Sequence, residues 1–439
     1  MKLQAGYLFL ASGDYLCVRL SVNMKKLLSA NAFAVLHFRN FRLYLLLRIL
    51  LTMGTLMQSV IVGWQIYDIT HNVLWLGFIG LTEVIPQVGI SLFAGHYVDI
   101  WNRRKIAGYT TVIMVVGAII LLVYSANISY FATRYGVLPI FITIFLTGLA
   151  RGIMSPTLTA MLGQLIPRNL YPNAATWSSA NWQMAAMLGP ALGGLIYGYA
   201  GIISAYSIVL ALYVCSFLMI LFIKIHKHEI VDSSEGIFAR IRSGISFVFK
   251  TPELLGAFAL DMFAVLFGGA VAMLPVFASD ILNTGPQGLG ILRACPAAGA
   301  TLMAVILMFR PPVKKTGKIL FTAVTGFGLC MIGFALSGNF ILSSVILILS
   351  GAFDNISVVI RGTILQLFTP DHMRGRVASV NSIFIGSSNE LGAFESGVAA
   401  KLMGLVPSVI FGGCMTMAVI VATLKFNKPL TRLSLQNKM

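Results

Sequence analysis

The chain has 439 residues, 58% hydrophobic and only 10% charged, with 31 lysines and arginines against 14 acids for a formal charge of +17. Soluble domains carry roughly a quarter charged residues, so a soluble globule is excluded, and the same hydrophobicity excludes disorder. Five cysteines without paired spacing exclude a disulfide scaffold, leaving a polytopic membrane protein.

The first 23 residues hold a short apolar piece, Tyr7–Leu10, followed by Asp14 and Arg19, too broken for a signal peptide or a span. Met24-Lys25-Lys26, just ahead of the amphipathic stretch Phe33–Phe41, is the expected start of translation. Apolar runs long enough to cross a hydrocarbon core of about 30 Å as helices then recur twelve times. They lie at approximately 42–66, 74–97, 106–126, 137–163, 175–199, 202–223, 254–279, 286–309, 318–337, 340–366, 377–402 and 405–425. Each run is continuously apolar, which favours helices over a barrel of alternating strands. A polar connector from His226 to Thr251 divides the spans six and six. Within it Ile237, Ile241, Ile245 and Phe249 mark one face of an amphipathic helix, with Arg240, Arg242 and Lys250 available to lipid phosphates. The expected organisation is a terminal segment 1–40, a six-helix half 41–224, a central loop 225–253, a second half 254–425 and a tail 426–439.

Basic residues set the orientation. With both termini cytoplasmic, 25 of the 31 lysines and arginines fall in cytoplasmic segments. Arg134 and Lys401 fall outside, and Arg48, Arg151, Arg293 and Arg361 within spans. The charge is therefore a topology signal spread over seven short segments, and no nucleic-acid partner is expected. Duplication of a six-helix unit is also legible. An offset of 203 residues superposes Pro167 on Pro370, Gly189 on Gly392, Gly194 on Gly397 and Gly201 on Gly404. It also sets Arg151 opposite Asp354.

Between spans two and three runs Gly95-His-Tyr-Val-Asp99-Ile-Trp-Asn-Arg103-Arg104-Lys105. A glycine at a helix end admits a close neighbour, and an aspartate four residues on can meet a helix N-terminus or an arginine. The segment resembles the G-x-x-x-D-(R)-x-x-R-R loop of the major facilitator superfamily, with Ile100 and Tyr97 where arginine and leucine are common. The resemblance implies a major facilitator fold, and a latch of Gly95, Asp99, Arg103 and Arg104 closing the cytoplasmic side between the halves. Span five carries Gly189-Pro190-Ala-Leu-Gly193-Gly194-Leu-Ile-Tyr-Gly198. Its proline bends the helix, and its glycines make two overlaid close-packing faces. The string resembles the G-P-x-x-G-G pattern of exporters in that superfamily. Gly290-Ile-Leu-Arg293, the stretch Arg361 to Arg376, and Ser388-Asn389-Glu390-Leu-Gly392 resemble its drug and siderophore exporter branch, as do Phe38–Arg42 and Trp64–Thr70.

A charge at mid-membrane costs about 2.5–3.5 kcal/mol on insertion scales, so each needs a reason. The candidates are Arg48, Glu83, Arg151, Asp261, Arg293, Asp354, Arg361, Glu390 and Glu395, with Asp68 and Asp280 read as surface groups at external helix ends. Glu83 precedes Pro86 near mid-depth, and Arg151 sits beside Gly152 and Pro156. Arg151 also resembles a superfamily arginine implicated in proton coupling. Asp354 and Arg361 share a helix face about 10 Å apart, too far for an easy direct pair. The coupling and substrate candidates are thus Glu83, Arg151, Asp354, Arg361 and Glu390.

No metal-ligand cluster, nucleotide-binding glycine loop or nucleophile–base set is visible, so no cofactor and no enzymatic activity are expected. The expectation is an all-α protein of twelve transmembrane helices in two pseudosymmetric halves, placed in a bacterial inner membrane. It would export a small amphipathic molecule against proton influx, as a monomer in contact with lipid. An inward-directed symporter or uniporter is the nearest alternative, and a non-transporting sensor or scaffold the next.

Overall fold

The computed structural model describes residues 33–167, 170–224, 237–268, 270–312, 314–370 and 373–435, and every described secondary-structure element is helical. The expected start at Met24, Arg168, and His226 and His228 of the connector lie outside the described residues.

The N-terminal half is built of α1 (Arg39–Thr70), α2 (Val73–Ile100), α3 (Arg103–Ala126), the short α4 (Ile128–Tyr135), α5 (Leu138–Leu165) and α6 (Tyr171–Phe222). The connector helix α7 (Ile237–Lys250) follows, then α8 (Pro252–Phe267), α9 (Gly285–Phe309), α10 (Thr316–Leu336), α11 (Phe340–Phe368), α12 (Arg374–Met403), α13 (Leu405–Phe426) and the short α14 (Lys428–Thr431). Local chemistry sets several boundaries. Asn72, Asn102 and Asn339 cap α2, α3 and α11 by accepting backbone N–H bonds of 2.9–3.3 Å. His71 ends α1 in the left-handed region, and prolines open α5, α8 and α9.

Ten described helices are long and apolar enough to cross a membrane. The sequence counts twelve runs, and the difference has two sources. The 52-residue α6 is interrupted at Gly201 (φ 81°, ψ 170°), so its two limbs host the fifth and sixth runs. The eleventh run lies in α12, which is long enough but carries a polar stretch around Ser387 to Glu390. The seventh run is broken: α8 stops at Phe267 and the chain continues as a 3-10 helix, Ala270–Met273, and a π-turn, Phe277–Ile281. Gly268 and Pro275 explain this, since glycine and proline are the poorest helix formers.

The two halves repeat each other down to backbone detail. Gly404 (φ 90°, ψ 160°) separates α12 from α13 as Gly201 separates the limbs of α6. Gly189 packs on α1 at Met53, and its counterpart Gly392 packs on α8 at Leu266. Gly194 meets Gly290 of α9, and its counterpart Gly397 meets Gly77 of α2. The last two contacts are the seams between the halves: the first limb of α6 against α9, and α12 against α2.

Burial shows where the halves join. One apolar core lies wholly in the N-terminal half, around Tyr44, Met57, Tyr206 and Tyr213. Another lies in the C-terminal half and its flanking segments, around Phe258, Leu320 and Ile364. A third is shared, with Val60, Tyr67 and Leu76 packed among Met273, Phe277, Leu289 and Ala400. These shared residues sit at the end of the bundle remote from Arg39 and Phe426, here the distal end. Toward the opposite end α2 and α12 part company. A Cβ built on Gly386, on the same face of α12 as Gly397, meets nothing within 4 Å, whereas one on Gly77 or Gly80 meets α12 backbone. The halves therefore close distally and diverge toward the end that carries the chain termini. There the tail is tied back, with Gly317 N–H donating to Leu433 O at 3.0 Å and Leu435 buried.

Candidate functional site

Four of the in-span charges converge where the halves begin to separate. Glu83 is the eleventh residue of α2 and Arg151 the fourteenth of α5, and their side chains form an ion pair, 14% and 32% exposed. Two glycines make this possible. A Cβ on Gly148 would lie 2.8 Å from Glu83 O and 3.1 Å from Pro86 Cγ, and one on Gly152 would lie 2.5 Å from Gln87 O. Alanines there would push α5 off α2 and lengthen the pair.

Glu390 approaches from the other half. Its Oε2 lies 3.1 Å from the position of a Cβ on Gly80, one turn from Glu83. Arg151 and Arg293 are the two cations close enough to act on it. The cluster thus joins α2 and α5 of one half to α9 and α12 of the other, with two acids and two guanidiniums. At 1.5 Å per residue these side chains sit roughly 12–20 Å from the distal helix ends. The sequence analysis left Arg293 out of the coupling candidates; its position beside Glu390 makes it a member of the site.

The remaining candidates divide differently. Asp354 and Arg361 do not meet each other directly. Arg361 instead pairs with Asp261 of α8, both side chains buried, while Asp354 lies close enough to act on Asp261. This second cluster lies inside the C-terminal half.

Arg104 donates from Nε to Ile220 O at 3.0 Å and from Nη2 to Leu221 O at 2.6 Å. Arg103 donates to Ala160 O at 3.0 Å and Val98 O at 3.3 Å. Each of these bonds stays within the N-terminal half. Leu221 is among the last four residues of α6, whose carbonyls have no donor one turn on within the helix. Gly95 and Asp99 fall in the last two turns of α2, with side chains outside the described residues.

The glycine faces of span five point two ways. Gly189 and Gly193 lie on α1, with a Cβ on Gly193 3.2 Å from Met57 Cα, while Gly194 and Gly198 face Gly290 and Gln287 of α9. Pro190 lies between them, its carbonyl 2.9 Å from a Cβ on Gly290.

Two features escaped the sequence. Asp280, read there as a surface group, accepts a hydrogen bond from Tyr67 OH across the distal seam. Residues 213 positions apart give no local signal, although an acid beside a broken helix is the pattern to look for. The N-terminal half also carries a buried polar ladder, in which Tyr206 OH donates to Gln65 Oε1 at 2.7 Å and Gln65 Nε2 to Ser125 Oγ at 2.9 Å.

Comparison with known proteins accords with this architecture. Among relatives by sequence, the chain is 24% identical to the multidrug efflux pump Tap of Mycolicibacterium fortuitum, over 83% of this chain and 90% of that protein. It is 22% identical to the staphyloferrin A transporter of Staphylococcus aureus, over 87% and 94%. It is 24% identical to the enterobactin exporter EntS of Salmonella typhi, over 85% and 88%. Among solved structures it superposes on a D-xylose-proton symporter with a TM-score of 0.71 at 14% identity, covering 90% of this chain and 98% of that one. A bacterial homologue of the iron transporter ferroportin, in its inward-facing state, gives 0.68 at 16% identity, covering 90% and 99%. Residues 30–437 match the family model of transmembrane secretion effectors. The chain is a multi-pass membrane protein and belongs to the transmembrane secretion effector family of major facilitator transporters.

Proposed function

We propose that the protein exports a small amphipathic molecule, siderophore or drug-like, across a bacterial inner membrane by alternating access, coupled to proton entry. Both termini would be cytoplasmic, the working unit a monomer in lipid, and the divergent end would open to the cytoplasm. The observation that carries this reading is the cluster of Glu83, Arg151, Arg293 and Glu390. It draws two charges from each half to the level at which the halves part, where a rocking motion changes its exposure most. Exporters of drugs and of siderophores among the sequence relatives support the direction and the class of cargo.

Glu83 and Glu390 are the proton-exchanging groups in this reading. Arg151 and Arg293 hold them in place and favour their charged forms once the proton has left. Gly95, Asp99, Arg103 and Arg104 form the latch that closes the cytoplasmic side between the halves, and Gly189, Pro190, Gly193 and Gly194 set the span-five hinge. The test is proton flux in inverted membrane vesicles, energised to acidify their interior, during addition of siderophores and amphipathic drugs. A cargo should dissipate the gradient, and Glu83→Gln or Glu390→Gln should abolish that response. Amide variants that respond like the parent would sink the proton role.

A further inference from the structure

The interior cluster of the C-terminal half does not balance. Asp261 and Asp354 bring two carboxylates against the single guanidinium of Arg361, which is already paired with Asp261. An uncompensated charge in an apolar bundle is strongly disfavoured, so one further positive charge, a metal cation or a proton, is called for. A small recess lies at this point, lined by Asp261, Asp354, Ser357, Val265, Phe327 and Phe353.

Two further observations point into it. Ser357 is 3% exposed, and its Oγ has no hydrogen-bond partner among the described residues. Helical serines ordinarily return the hydroxyl to a carbonyl one turn back, as Ser344 does to Phe340 O at 2.8 Å. Ser357 leaves its oxygen unused on the face it shares with Asp354 and Arg361, three and four residues away. The recess also adjoins the last turn of α8, where the seventh span breaks, and the carbonyl end of a helix carries partial negative charge. Val265 and Ala264, from that turn, are part of the lining.

We propose that this recess is a binding site for one monovalent metal cation of sodium's size, held by Asp354, Asp261 and Ser357 Oγ. A single positive charge brings the cluster to neutrality, whereas a divalent ion would overshoot. The donors are all hard oxygens, as such an ion requires. The site stands apart from the export reading, because binding is measured at equilibrium in protein that is not transporting.

The test is binding of radiolabelled sodium to the purified full-length protein in detergent at mildly alkaline pH, beside thermal unfolding in sodium chloride against choline chloride. The expected result is saturable binding of one ion per chain and a sodium-dependent rise in unfolding temperature. Asp354→Asn should abolish both, and Ser357→Ala should weaken binding about tenfold or more. Should Asp354→Asn fail to fold, Ser357→Ala carries the test, since it removes one oxygen and no charge. Absence of saturable binding overturns the site, as does binding equal in the parent and Ser357→Ala. Unfolding that responds to pH but not to sodium also overturns it, because the recess then holds only a proton. Each of these three failures leaves the vesicle test of export standing.

Discussion

Gly194→Ala should bias the transporter away from the distally closed arrangement. A Cβ on Gly194 falls 2.6 Å from Gly290 N and nearer still to Gly290 Cα and Pro286 O. All three are backbone atoms, so no side chain can swing aside. Restoring ordinary contact at about 3.5 Å requires α6 and α9 to separate by roughly 1 Å. Overpacking of this kind costs about 1–3 kcal/mol in a dense interior. The contact joins the two halves and exists only while they are closed distally, so the strain falls on one state. A bias of that size shifts the ratio of the two states by roughly 5- to 150-fold. Spin labels at Tyr199 and Leu402, both exposed at the distal end, would read the separation of the halves after replacement of the native cysteines. Gly194→Ala should enlarge the long-distance population. Gly193→Ala, which presses on Met57 within its own half, should lower stability without that shift. An unchanged distance distribution in folded Gly194→Ala, or an equal shift in Gly193→Ala, would refute the reasoning.

Three further expectations follow from single contacts. Arg361→Met strands Asp261 in the C-terminal core and should lower stability by about 3–5 kcal/mol in thermal unfolding, with most of the loss recovered on adding Asp261→Asn. Arg104→Ala releases the carbonyls of Ile220 and Leu221; a loss of about 1–3 kcal/mol is expected in the same assay, only partly restored by lysine, which lacks the planar fork. Tyr67→Phe removes the donor to Asp280, and the distal spin-label distances should broaden, by less than in Gly194→Ala.

The fold was largely legible because membrane insertion writes it into composition: twelve apolar runs, a charged connector and the basic bias need no tertiary knowledge. The duplication was legible for a different reason. Gly201 and Gly404 adopt positive φ, and Gly194 and Gly397 meet another backbone, so no other residue fits these positions well. Partnerships were not legible. Helical periodicity places Asp354 and Arg361 on one face, but which helix faces them depends on how α8 packs, and Asp261 is 100 residues from Arg361. The same holds for Glu390, assigned no partner by its neighbours in sequence and brought to Arg151 by the α2–α12 seam. Arg103 and Arg104 were read through a family pattern, which marks a conserved position in the loop and says nothing of which carbonyls lie within reach in this chain.

The composition of the interface cluster constrains how it can work. Each half contributes one acid and one guanidinium, Glu83 with Arg151 and Glu390 with Arg293, so each half is neutral by itself at this level. Rocking apart then exposes two compensated pairs to water and strands no single charge in the hydrocarbon. Had one half supplied both acids and the other both arginines, separation would have had to overcome their full attraction and opening would be slow. If transport is proton-coupled as proposed, neutrality also ties cargo to coupling. A proton added to Glu390 leaves the joined cluster at +1, which disfavours a cationic cargo and favours an anionic one. Exchange of protons for cargo requires that the two exclude each other, and linkage makes that exclusion reciprocal. A cationic or proton-donating amphiphile competing for Glu83 and Glu390 satisfies this condition. A polyanionic cargo would have to bind elsewhere, or arrive with cations of its own.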